Sequence, residues 1–322
     1  MLFNQTKILY LCGDLALTGG IEKYNSDFIS AIELSGSKIK VIQRKAGGLR
    51  NKIIFSFQFI NSILTYSPSH IVCAHLHFSP LALLAYKVFR INYSLSLYGI
   101  EAIEINNRVY KSALVEAKKI IVISQYTKKL INSQFNFLDN KYFMLISSVN
   151  EKVNNLFEDT SYLKKKYGFG DLPIVLTISR QSTTEEKGQH RVLISFKEVL
   201  KKFPNAKYVI AGPGSDNRVV EALDSLSNIK ESVVNLGLVS DEQRTELYNL
   251  CDVFVLPSKN EGFGIVFIEA LACGAQVIAS NGYGCKEGLL NGALGSVVDP
   301  DDTEQLAYTI NDALEKSKTR TL

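Results

Sequence analysis

The sequence predicts an α/β protein made of two doubly wound, Rossmann-like domains. Three observations carry this reading. Short apolar runs of strand length alternate with amphipathic stretches of helical period almost throughout. The runs are continuous, as suits parallel strands covered on both faces by helices. A chain of 322 residues, 46% hydrophobic, has material for about two cores of ordinary size.

In chain order, the strand candidates of the first half are KILYLCG, KIKVIQR, HIVCAHL, YSLSLYG, KIIVIS and KYFMLIS. Those of the second half are PIVLTIS, KYVIAG, VVNLGL, DVFVLPS, AQVIAS and GSVVD. Helices such as RVLISFKEVLKKF, Arg191 to Phe203, supply the covering layers. The join falls in Asn150 to Pro173, a charged stretch containing Gly168 and Gly170, which divides the chain into domains 1–155 and 156–322. There is no internal repeat and no low-complexity tract.

Charge is divided unevenly. Residues 1 to 150 carry 17 Lys and Arg against 8 Asp and Glu, a net of +9, and residues 151 to 322 carry 19 against 24, a net of −5. A basic half suits an anionic partner such as membrane headgroups or a phosphorylated acceptor; nucleic acid is not among the expected partners. No apolar run approaches the roughly 20 residues that span a bilayer, and MLFNQTKILYLCGD lacks the flanks of a signal peptide. Cys12, Cys73, Cys251, Cys273 and Cys285 are odd in number and form no C-x-x-C pair, which fits reduced packing cysteines in a cytoplasmic protein.

The most informative stretch is Pro257 to Gly274, PSKNEGFGIVFIEALACG, where Glu261 and Glu269 flank a glycine-rich turn that opens an apolar helix. Gly262 and Gly264 allow a tight turn, so the amides of Gly262, Phe263, Gly264 and Ile265 become donors at a helix N-terminus, which favours an anion. If the segment between the glutamates is mostly helical, they stand roughly 10 Å apart along the axis, comparable to the span from a hexose to a ribose across a diphosphate. These residues read as a phosphate and sugar site.

Together with its surroundings, this segment resembles the GT-B glycosyltransferases of glycosyltransferase family 4. The matching pieces run in family order over nearly the whole chain: KILYLCGDLALTGGIEKYN with Gly19 and Gly20, LTISRQSTTEEKGQH with Arg180 and Lys187, YVIAGPG, NLGLVSDEQRTELY, the glutamate segment, and VVDPDD. The resemblance implies two domains facing a cleft, an N-terminal one for the acceptor and a C-terminal one for a nucleotide sugar. It implies that Arg180 and Lys187 reach the diphosphate from the C-terminal domain and that Gly19 and Gly20 let the first loop approach it. By the same carry-over Glu261 sits beside the transferred sugar, Glu269 holds the ribose hydroxyls, and Gly237, Leu238 and Val239 meet the base. Two departures stand out. Tyr98 replaces the family's frequent histidine on the acceptor side, and the chain stops at Leu322 without the final helix that crosses back.

Three further patterns carry other chemistry. His75 and His77 stand two apart on a strand pattern, where packing or acceptor contact is expected over a metal. Gly212 and Gly214 follow a strand, but Asn217 stands where the nicotinamide fingerprint needs its third glycine. Asp299 and Asp301 form a D-x-D that reads as a turn beside Pro300.

The expectation is therefore a retaining glycosyltransferase that needs no metal or cofactor and moves a hexose from a UDP- or GDP-sugar. Its acceptor is a saccharide or lipid-linked molecule in surface polysaccharide or glycolipid synthesis. The alternatives are a non-catalytic relative that serves as a binding or partner subunit, which donor turnover would exclude, and a sugar-nucleotide epimerase, which would need no acceptor. Arg44, Lys45, Arg50 and Lys52, followed by Ile53, Ile54, Phe55 and Phe57, add the expectation of an anionic membrane surface as partner.

Overall fold

The computed structural model describes residues 6–16, 19–149, 156–184 and 186–318. The chain forms two compact units, residues 1–148 and 149–322. The boundary expected at residue 155 lies outside the described residues.

In the N-terminal unit, strands β1 (Lys7–Gly13), β2 (Lys38–Arg44), β3 (His70–Cys73), β4 (Asn92–Leu97), β5 (Lys119–Val122) and β6 (Tyr142–Met144) alternate with helices α1 (Gly20–Leu34), α2 (Leu49–Tyr66), α3 (Ser79–Phe89), α4 (Arg108–Glu116) and α5 (Gln125–Phe135). The strands are all parallel, in the order β2-β1-β3-β4-β5-β6. Side chains on β1 alternate between two cores, as the twofold period of a strand requires. Leu9 and Leu11 join Phe55, Phe59 and Ile63 of α2, whereas Ile8, Tyr10 and Cys12 face Phe28, Ile29 and Ile32 of α1. Asn107 and Ser124 start α4 and α5 by accepting from N–H groups of the first turn, at Val109 and Thr127.

The C-terminal unit contains α6 (Ser161–Tyr167), β7 (Ile174–Ile178), β8 (Gln181–Ser182), α7 (Gln189–Lys202), β9 (Lys207–Ala211), β10 (Gly214–Ser215), α8 (Asn217–Ser225), β11 (Val233–Gly237), α9 (Asp241–Leu250), β12 (Val253–Leu256), α10 (Ile265–Ala272), β13 (Gln276–Ser280), α11 (Cys285–Gly288), β14 (Ser296–Val298) and α12 (Thr303–Lys318). Its main sheet is parallel, ordered β11-β9-β7-β12-β13-β14, and β8 pairs with β10 in a small second ladder. Counting only the main sheet, this is the doubly wound dinucleotide-fold order, in which sequence direction reverses between the first and fourth strands.

Every strand expected from sequence is present. The stretch expected as a linker is not wholly one: its second half forms α6, with Leu163 fully buried in the core. Lys166 and Tyr167 bind the Glu246 carboxylate of α9, at 2.7 Å to Oε2 in both cases. The spacing of Leu306, Ile310 and Leu314 places one face of α12 in the core beside α7. All five cysteines are buried and unpaired, the packing role expected of them. No helix among the described residues is long and apolar enough to cross a membrane.

Candidate functional site

The C-terminal sheet reverses its strand order between β7 and β12, so the loops leaving their C-terminal ends diverge and leave a crevice. Arg180, Lys187 and Glu261 all fall on these two loops. Arg180 is exposed just past β7, and its carbonyl accepts from Gln189 Nε2, which also donates to Ser179 Oγ at 2.7 Å.

Lys187 and Glu261 meet directly. Lys187 Nζ donates to Glu261 Oε2 at 3.0 Å, with the two side chains only 11% and 21% exposed. The reason lies in the next residue. Gly188 has φ +87°, and a Cβ there would lie 2.5 Å from the Pro257 carbonyl oxygen. Only glycine permits that approach, which presses the start of α7 against the exit of β12 and carries Lys187 onto Glu261. Partial burial spares the pair the screening that weakens ion pairs on open surfaces.

Gly264 is the second such position. It holds φ +83° as the residue before α10, and a Cβ would meet the Phe267 ring at 2.3 Å. Among the described residues the N–H groups of Gly262, Phe263 and Gly264 find no hydrogen-bond acceptor. They remain as donors beside the ion pair, an arrangement suited to a phosphate. Gly284 N–H holds the turn by donating to the Glu261 carbonyl at 2.8 Å. Because α10 starts only at Ile265, the helical rise does not measure the separation of the two glutamates, contrary to the sequence-based estimate.

Glu269 projects from α10 with 2% exposure. Tyr248 Oη donates to its Oε2 at 3.0 Å and Arg244 Nε stands 3.6 Å away. Burial, followed by the charge of Glu269, pushes the Tyr248 phenol far above its ordinary range, so the hydroxyl stays a donor. Sequence reasoning named Glu269 and missed both partners. Yet Arg244 and Tyr248 stand four apart in NLGLVSDEQRTELY, which places them on one face of a helix. Past β11, Leu238 is 65% exposed while Val239 packs against the core.

A charged network frames the site. Glu186 receives Arg191 Nη2 at 2.8 Å and Arg218 Nη1, Arg218 also grips Asp216, and Asp301 pairs with Lys259 at 2.6 Å and Arg191 at 3.3 Å. Burial alone would raise the Glu186 carboxyl; the two arginines outweigh it and hold the group below its usual range. The D-x-D is thus a turn tied by ion pairs, with Asp299 Oδ1 accepting from Asp301 N–H at 2.9 Å. Among the described residues no group of three His, Cys, Asp or Glu could hold a metal. Gly212, expected as no more than a decoy, packs so closely that a Cβ would lie 1.9 Å from the Ser179 carbonyl oxygen.

In the N-terminal unit, Gly19 is extended backbone before α1 and Gly20 is that helix's first residue; residues 17 and 18 of the same loop lie outside the described residues. Tyr98, expected on the acceptor side, is 7% exposed. Its hydroxyl donates to Asn25 Oδ1 at 2.7 Å, which also accepts Tyr10 Oη at 2.8 Å. Burial keeps the phenol well above its usual range, so Tyr98 braces α1 from within the core and supplies no base. His75 and His77 do come together, with ring centres 4.3 Å apart, but past the end of β3 and not on a strand. A cleft of ≈ 580 Å³ beside β2 is lined by Asp14, Gln43, Lys45, Gln58 and Asn61. The convergent charges of the C-terminal unit, and its amides that find no acceptor among the described residues, make it the better candidate for the chemistry than this cleft.

The chain is similar to known proteins in sequence and in fold. The sequence profile of the family described as Glycosyl transferases group 1 matches residues 159–321. A GDP-mannose-dependent alpha-(1-6)-phosphatidylinositol monomannoside mannosyltransferase of Mycolicibacterium smegmatis is 30% identical over 159 residues, 47% of this chain and 41% of the relative. The capsular polysaccharide biosynthesis glycosyltransferase CapM of Staphylococcus aureus is 30% identical over 215 residues, 65% of this chain and 56% of the relative. The chain thus spans about half the length of these curated relatives. Among solved structures, the sucrose-phosphate synthase of Thermosynechococcus elongatus superposes with a TM-score of 0.82 at 20% identity, covering 97% of this chain and 90% of that one. Anabaena HepE in complex with UDP superposes at 0.76 and 19%, covering 97% and 91%. These structures share the fold of two parallel six-stranded sheets flanked by helices, the GT-B architecture.

Proposed function

The chain belongs to the group 1 glycosyl transferases, and on that premise we propose that it moves a hexose from a nucleoside diphosphate sugar to a saccharide or lipid-linked acceptor, with retention and without a metal. The observation that carries this reading is the Lys187–Glu261 pair set beside the unpaired N–H groups of residues 262 to 264. When the bond from the anomeric carbon to the diphosphate breaks, the leaving oxygens gather negative charge. Preorganised donors meet that charge without further reorganisation. Lys187, Arg180 and the amides supply the donors, and the Glu261 carboxylate accepts from hydroxyls of the sugar. Glu269, fixed by Tyr248 and Arg244, takes the ribose.

The relatives support both a GDP-sugar and a UDP-sugar as donor, one acting with GDP-mannose and one structural neighbour holding UDP. A thermal-shift screen of UDP, GDP, ADP and their sugars tests the reading, since a ligand at 100 times its Kd stabilises by about 2.7 kcal/mol. A chain that no sugar nucleotide stabilises, and that neither hydrolyses nor transfers any of them, is a binding relative and not an enzyme.

For the acceptor we propose peripheral work at an anionic membrane surface on the cytoplasmic side. Leu49, Ile53, Phe57, Ile60 and Leu64 recur at steps of three and four along α2, so they share one face, and all are exposed, Phe57 at 70%. Phe55, expected on that face, is instead a core residue at 3% exposure, since it falls on the opposite side of the helix. Lys45, Arg50 and Lys52 are exposed near the start of the stripe, the composition of a helix that lies in a membrane interface.

A further inference from the structure

Arg44 ends β2 on one side of β1, and its guanidinium lies 5.2 Å from the centre of the Phe78 ring, which follows β3 on the other side. The side chain therefore spans the C-terminal end of β1, where the N-terminal sheet reverses its strand order, the place where open parallel sheets bind ligands. His75 and His77 share this spot, and the Tyr110 ring stands 6.1 Å from that of His77. His77 N–H donates to His75 Nδ1 at 3.1 Å. That bond makes Nδ1 the acceptor, so the neutral ring carries its proton on Nε2. Burial first, then His77 and Arg44, lowers the His75 pKa to about 4, so the ring offers a donor without a charge. No carboxylate pairs with Arg44 among the described residues, and Asp14, at the end of β1, accepts from Ala16 N–H at 3.1 Å.

The locus therefore combines a guanidinium, an imidazole donor and a phenol, and among the described residues no carboxylate pairs with the guanidinium. The planar fork of an arginine fits two oxygens of a tetrahedral anion at once. We propose that Arg44, His75, His77 and Tyr110 bind the phosphate group of the acceptor, carried by a phosphorylated saccharide or by a lipid headgroup. This rests on the reading of the N-terminal unit as the acceptor-binding half.

The chain has only four histidines, so their ring signals can be followed singly by NMR. Inorganic phosphate, added to the full chain without donor at constant ionic strength, should move His75 and His77 saturably. His70, at the other end of β3 and held by Ser94 Oγ, should stay still. Arg44→Gln should weaken the effect about tenfold or more, the loss of a charge-assisted hydrogen bond. Tyr110→Phe should weaken it less and serves if the first variant unfolds. Unmoved His75 and His77, an equal response in Arg44→Gln, or movement of His190 alone would overturn the site. A hexose 1-phosphate that saturates the shift below the concentration needed for inorganic phosphate identifies a saccharide source. Cosedimentation with phosphatidylcholine vesicles carrying phosphatidate, lost in Arg44→Gln, identifies a headgroup. Sugar-nucleotide turnover with no phosphate shift overturns this site alone, whereas a shift in a chain that turns over no donor overturns the transferase reading and leaves the site.

Discussion

Lys187 Nζ and Glu261 Oε2, 3.0 Å apart, join a residue before α7 to one beyond β12 across 74 positions of sequence. On the proposed reading, the pair sets a side chain suited to a leaving diphosphate against one suited to the transferred sugar, so the same contact would organise groups on either side of the breaking bond.

Glu261→Gln should nearly abolish transfer while nucleotide binding survives, because the role proposed for that carboxylate is on the sugar and not on the base. Glu269→Gln should instead weaken nucleotide binding, because the role proposed for that carboxylate, held by Tyr248 and Arg244, is on the ribose. Calorimetry with the bare nucleoside diphosphate separates the two; equal losses of affinity would contradict the assignment.

Arg180→Ala and Lys187→Ala should each lower turnover on the order of 100-fold if they meet charge that develops in the transition state. Transfer should persist in excess chelator. Activity that vanishes with EDTA and returns with manganese would refute the cation reading. It would also require Asp301 to leave Lys259 and Arg191.

Binding to vesicles should require anionic lipid, fall with salt, and fall sharply in a Phe57→Ser, Ile60→Ser double variant, whose side chains are exposed and touch no core cluster. Each basic residue near an anionic leaflet adds about 1 kcal/mol, and the attraction is lost as the Debye length shortens. Cosedimentation that is indifferent to lipid charge, or unchanged in the variant, points to a soluble acceptor.

Acid should weaken the N-terminal unit more than the C-terminal unit in the mildly acidic range, where burial lowers the pKa of His70, His75 and His77 in the former and of His190 alone in the latter. His70 and His75 are both lowered to about 4, by burial first. Their unfolded value is about 6.5, so the unfolded state binds more protons between these limits and stability of the N-terminal unit falls as pH drops from about 6.5 toward 4. Glu186 and Asp216 are held low by their arginines against burial. Their contribution is present above the unfolded carboxylate range and is lost only below it, as pH falls through the folded values. Pulse proteolysis in urea at pH 7, 5.5 and 4, with fragments assigned by mass, should show the N-terminal unit yielding first. Loss of the C-terminal unit first would contradict this order.

The strands are legible because each is a short apolar run between polar breaks, whereas Glu261, Lys187 and Arg180 are singled out by the order of the motifs that resemble the family, with Glu261 beside Gly262 and Lys187 beside Gly188. What escaped was set by contacts distant in sequence. Nothing local distinguishes Phe55 from Phe57, yet two positions along the helix separate core from surface. Tyr98 reads as a free hydroxyl until Asn25, 73 positions away, accepts from it. The stretch Lys164 to Lys166 reads as a solvated linker because its charge hides that Leu163 needs a core and Lys166 has Glu246 as partner.

The bare approach of Gly188 to Pro257 bears on how such an enzyme can diversify. Because the two loops meet at a glycine and a backbone carbonyl, the spacing between Lys187 and Glu261 does not depend on which side chains surround them. On the proposed roles, the exposed side chain at Leu238 can then be exchanged to admit another base while Lys187 and Glu261 keep their distance, whereas inserting a residue between Lys187 and Gly188 would uncouple them. Selection for new donors should therefore yield substitutions in the peripheral loops and reject length changes at this seam.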